Sequence, residues 1–148
     1  MDRISIVSSL VRKSVYPLLV LMIVLGVYYF SASLSENRRY SQYSIDYLLL
    51  TPAILKEQPV QGATDVVYFY SAADGNKPTV ITMEFRSAIA LSEIKKLLAD
   101  YFKSQGFKPN NIGIFTKQNE EVLVEITHDN GDNNQSIKLS LLEYLWNS

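Results

Sequence analysis

The sequence predicts an α+β fold: an N-terminal single transmembrane helix followed by a small two-layer domain. In that domain an antiparallel sheet, ordered β-β-α-β-β-β along the chain, carries one helix packed on one face. Three observations lead there. Val15 to Phe30 contains no charged residue. Several later segments are rich in β-branched and aromatic residues, and the clearest alternate apolar with polar side chains, the period of a half-solvated strand. One segment, Ser92 to Gln105, has the apolar spacing of a helix instead.

The apolar run comes first. Its sixteen residues are short for a membrane span, which takes roughly 20 apolar residues. Ser31, Ala32, Ser33 and Leu34 extend it to twenty residues without a charge, 15–34. Tyr28, Tyr29 and Phe30 cluster at one end and Tyr16 sits at the other, as rings do at the two membrane interfaces. Pro17 falls in the first turn of the apolar run, where a missing N–H is tolerated. Arg3, Arg12 and Lys13 precede the run, while Arg38 and Arg39 follow it beside Glu36. This bias places residues 1–14 as a cytoplasmic tail and the bulk of the chain outside. The competing reading is a cleavable signal peptide, with Ser31-Ala32-Ser33 as its small-residue site. Bulky Tyr28, Tyr29 and Phe30 crowd that site and favour a retained anchor.

Residues 35–59 read as a linker with a short helix. Thr51 is placed to cap that helix and Pro52 to occupy its first position, with Leu50 stapled to Leu55. Residues 60–148 then form the extracytoplasmic α+β domain. Asp65 to Ser71 is a strand, Asp74-Gly75 a turn, and Thr79 to Arg86 the returning strand of a hairpin. Ile81, Met83 and Phe85 face one way along it; Thr82, Glu84 and Arg86 face the other. In the helix, Ile94, Leu97, Leu98, Tyr101 and Phe102 make one stripe, with Ser92 as N-cap and Gly106 just past the C-terminal end. Ile112 to Lys117, Glu121 to Thr127 and Ser136 to Tyr144 supply three more strands, and Trp146 is expected over a core edge. The sheet face away from the helix bears Thr82, Glu84, Arg86, Glu125 and Lys138, and is the expected partner face.

Composition narrows the chemistry. Beyond residue 39 there are nine Lys or Arg against thirteen Asp or Glu, a formal charge of −4. Nucleic acid and anionic membrane surfaces are poor partners for such a domain. There is no cysteine, which excludes disulfides and thiol catalysis and leans towards a bacterial envelope. His128-Asp129-Asn130-Gly131-Asp132-Asn133-Asn134 is the densest polar segment, but counting from Asp129 the calcium-loop pattern fails at its third and sixth positions. A turn explains the same letters. His128 is the only histidine, no strained serine elbow or glycine-rich phosphate loop occurs, and Glu120 and Glu121 point apart on a strand. Glu84 and Glu125 approach only if their strands are neighbours.

These observations predict a single-pass protein of a bacterial inner membrane, non-enzymatic and without a cofactor or metal. It holds an accessory or binding domain against another envelope protein, through the sheet face or by strand addition to an edge. The alternative is a membrane-tethered immunity or inhibitor protein acting on a toxin or hydrolase. An envelope enzyme is the least favoured reading.

Overall fold

The computed structural model describes residues 3–110, 113–128 and 134–145, with the side chains of residues 3–14 left aside. The chain divides into two compact units, residues 1–33 and 34–148. Helix α1, Arg3–Ser33, is the first. Its segment Val15–Ser33 is 19 residues long and apolar enough to cross a membrane. At the usual helical rise it is about 28 Å long, close to the hydrocarbon thickness of a bilayer. Pro17 lies inside this helix and not in its first turn, because the helix starts well before the apolar run, at Arg3.

The second unit is a seven-stranded antiparallel sheet with helical segments: β1 (Arg38–Tyr40), α2 (Ile45–Leu50), α3 (Ala53–Lys56), β2 (Thr64–Ser71), β3 (Thr79–Ser87), α4 (Leu91–Ser104), β4 (Lys108–Pro109), β5 (Ile114–Lys117), β6 (Glu120–His128) and β7 (Gln135–Glu143). The spatial order is β1-β2-β3-β7-β6-β5-β4. The mixed α+β architecture, the β2–β3 hairpin and the antiparallel pairing agree with the sequence reading. The last strand inserts between β3 and β6, so the two hairpin-like units are joined through β7.

Strand register builds the core row by row. Tyr70, Ile81, Leu141, Val122 and Phe115 are successive cross-strand partners from β2 to β5. Tyr40, Tyr68, Met83, Leu139 and Val124 form the next row, and Phe85, Ile137 and Ile126 the third. Most of these side chains are buried, together with Ile94, Leu98 and Phe102 of α4. The Phe102 ring lies 4.9 Å from that of Phe115, which puts α4 on this face. Segments α2 and α3 join it there, because the hydroxyl of Tyr68 donates to the Leu55 carbonyl at 3.3 Å.

Residues 35–59 are therefore built into the folded unit. β1 adds to β2 over three residues, and Tyr40, Leu50 and Leu55 are buried. Two expected caps also differ. Thr51 makes no cap for α3; its hydroxyl bonds that of Tyr40 at 3.0 Å, and Pro52 takes the cap position. Helix α4 begins at Leu91 behind Ala90, so Ser92 lies within its first turn. Its far end matches expectation. Gly106, at φ +86°, lets the Gly106 amide reach the Lys103 carbonyl and the Phe107 amide reach that of Phe102, both at 3.0 Å. This pair of bonds is a Schellman ending, completed by Phe107 against Phe102. Trp146, the start of the 112–117 strand and most of the 128–134 loop lie outside the described residues.

Candidate functional site

The strand alternation that buries Met83 and Leu139 turns their neighbours to the opposite face. Register there reads Arg39, Phe69, Thr82, Ser140, Leu123 and Ile114 across the sheet. The adjoining row is Val67, Glu84, Lys138 and Glu125, and Arg86 pairs with Ser136 one step further. All five residues expected on the partner face thus share it. Helices α2 to α4 lie on the other side.

The five are not equivalent. Glu84 and Glu125 are not on neighbouring strands; β7 separates them and places Lys138 between. Lys138 Nζ lies 3.8 Å from a Glu125 oxygen, and Arg86 reaches Asp65 at 3.9 Å. Both pairs are well exposed, so each contributes little to stability. Thr82 is on the right face but only 7% exposed, and shares a 3.0 Å hydrogen bond with Ser140. The expectation of a solvated Thr82 fails because its neighbours are larger side chains. Phe69, Val80, Leu142 and Leu123 are half-buried around it. Arg39 lies with its guanidinium carbon 5.9 Å from the centre of the Phe69 ring.

The face is therefore an apolar centre with a charged border. Two shallow hollows open on it, of about 240 and 490 Å³, and both are lined by Phe69 and Glu84. On the helix side, a cleft of about 540 Å³ is lined by Lys95, Leu98, Phe115, Val124 and Ile126. Alternation alone identified the five polar residues. It missed Asp65, placed by a bulge in β2, Arg39, placed by β1, and Phe69, because β2 carries apolar and aromatic side chains on both faces.

Two further groups bear on chemistry. Glu120 stands directly across from Glu143 in the β6–β7 register. Burial, and then the charge of Glu120, raise the Glu143 carboxyl above its ordinary pKa. Burial, and then Glu57, push the Tyr101 hydroxyl up to about 12. Among the described residues no three His, Asp or Glu side chains converge as a metal site. His128 shares a 3.0 Å hydrogen bond with Gln135 across the strand pair.

Fold and face together define an α+β protein with one long apolar helix and a mixed polar–apolar sheet surface. No protein-family model, no curated protein and no solved structure matches this chain.

Proposed function

We propose that this chain is a membrane-anchored, non-enzymatic binding subunit. In this reading α1 is retained as a span of a bacterial inner membrane, with its N-terminus in the cytoplasm. The sheet domain then stands on the far side, and its open face receives another envelope protein. The row Glu84, Lys138, Glu125 beside the Phe69 hollow carries this reading. Alternating charge around an apolar centre fixes a partner's register and excludes wrong ones, and the apolar centre supplies the buried contact.

Affinity capture with the detergent-solubilised full-length chain tests it. A stoichiometric protein partner is expected, and Glu84→Lys or Glu125→Lys should reduce its recovery at least fivefold with the thermal midpoint unchanged. Full recovery by both variants would exclude this face. The partner's own nature separates an assembly subunit from the target of an immunity protein. Edman sequencing of the mature N-terminus tests retention of α1, since cleavage after Ser33 would start the protein at Leu34.

A further inference from the structure

Helix α2 has an inverted polarity. Its one charged residue, Asp46, points inward: it is buried and held by Arg38 Nε at 2.8 Å. Three of its four aliphatic side chains point outward; the fourth, Leu50, is buried in the core. Leu48 is 67% exposed, Ile45 53% and Leu49 38%, and Tyr43, just before the helix, is 90% exposed. Ile45, Leu48 and Leu49 have the i, i+3, i+4 spacing that makes one continuous helix face. A helix facing water reverses this arrangement.

What covers the patch follows from the chain. Only residues 34–42 separate α1 from Tyr43, so the patch is tethered within about 30 Å of the end of the apolar helix. Arg38 is taken up by Asp46 and Arg39 lies over Phe69 on the opposite sheet face, so Lys56 is the cation beside the patch. Lys56 stands at the patch, its Nζ donating to the Leu48 carbonyl at 3.0 Å and lying 5.6 Å from the Tyr47 ring centre. An aromatic ring, aliphatic side chains and a flanking lysine are what the boundary between acyl chains and anionic headgroups accepts.

We propose that the outer face of α2, Tyr43, Ile45, Leu48 and Leu49, is a second membrane contact that rests in the lipid interface. The inference rests on α1 being a retained span. It gives the domain a fixed orientation on the bilayer, where a single span alone would leave it free to swivel.

The absence of cysteine allows a direct test with the full-length chain. Single replacements Val24→Cys, Leu48→Cys and Lys96→Cys are labelled with an environment-sensitive fluorophore. The proteins are reconstituted in phosphatidylcholine–phosphatidylglycerol vesicles, with a fraction of lipids bearing nitroxide in mid-chain or near the headgroup. Position 24 should be quenched by the mid-chain nitroxide, which reports on the span itself. Position 48 should be quenched at least twofold by the headgroup-proximal nitroxide and position 96, on the exposed side of α4, hardly at all. Adding Leu49→Glu should halve the quenching at 48 and leave that at 24 unchanged. Strong quenching at 24 with equal, weak quenching at 48 and 96 overturns the lipid contact while the span stands. A blue-shifted label at 48 that lipid nitroxides do not quench overturns it in favour of a protein partner. Loss of quenching at 24 refutes the span and the contact built on it.

Discussion

Three tyrosine hydroxyls do one task. Those of Tyr101, Tyr68 and Tyr47 donate to the successive carbonyls of Ile54, Leu55 and Lys56, at 2.7, 3.3 and 3.4 Å. Four residues are too few for a helix to persist alone, because nucleation is unfavourable. Side chains from α2, β2 and α4 therefore hold α3 by its last carbonyls. Tyr68 is the most buried of the three, and its ring stacks on Tyr40 at 5.7 Å. Tyr68→Phe keeps the ring and leaves the Leu55 carbonyl without that donor, so it should cost about 1–2 kcal/mol in urea unfolding of the detergent-solubilised chain. Tyr68→Leu, which also loses ring packing, should cost more. Equal stability of Tyr68→Phe and the parent would mean that water satisfies the carbonyl.

Glu143 supplies the pH dependence. Burial and the facing Glu120 raise its carboxyl pKa in the fold, so the folded state holds that proton more tightly than the unfolded chain. The favourable contribution is full below the ordinary glutamate pKa and is lost as pH rises through that value towards the folded one. At neutral pH the ionised group is a penalty, eased by its partial exposure. Glu143→Gln should raise the thermal midpoint at pH 7 by about 2–4 °C, equivalent to about 0.5 kcal/mol. Below about pH 4 the two proteins should melt together. A gain independent of pH would show that lost charge repulsion is not the cause.

Among the elements, α4 shows both the reach and the boundary of local sequence. Its stripe and its Gly106 ending are written within sixteen residues, 91–106, and both were legible. The ending can be tested. An added Cβ at Gly106 meets nothing closer than Lys117 Cε at 3.7 Å, an ordinary contact, so strain at φ +86° decides the effect. Gly106→Ala should cost about 1 kcal/mol and Gly106→Asn less, since asparagine enters left-handed backbone more readily. Equal losses would point to side-chain crowding instead. The elements that sequence did not show are those with no period to read. β4 has two residues and β1 three, and each is a strand only through its partner, the adjacent β5 for β4 and the more distant β2 for β1. α2 was hidden because Ile45, Leu48 and Leu49 face outward and its aspartate inward, opposite to the usual pattern. Thr51 read as a cap because local spacing does not reveal Tyr40. The charged border of the sheet face was legible from alternation in β3, β6 and β7. The burial of Thr82 was not, since it depends on β7 lying beside β3.

Taken together, these departures move the start of the folded domain. Composition places it at residue 60, after a polar stretch. The structure starts it at Leu34, directly after α1. The difference is energetic as well as descriptive. Without residues 34–59 the core loses Tyr40, Leu50 and Leu55, each worth about 2 kcal/mol of burial. Tyr68 and Tyr101 also lose the carbonyls they bond, and β2 becomes an edge. A loss of about 6 kcal/mol or more equals or exceeds the lower part of the usual 5–15 kcal/mol stability range. A chain beginning at Leu34 should therefore melt cooperatively in aromatic-region circular dichroism, and one beginning at residue 60 should show no cooperative transition. The shorter chain should also expose its core to a dye such as ANS, which binds loosely packed apolar surface. If both chains melt with the same midpoint, residues 34–59 are a tether after all. The proposed lipid contact of α2 would then lack a rigid connection to the sheet and could not fix the orientation of the domain.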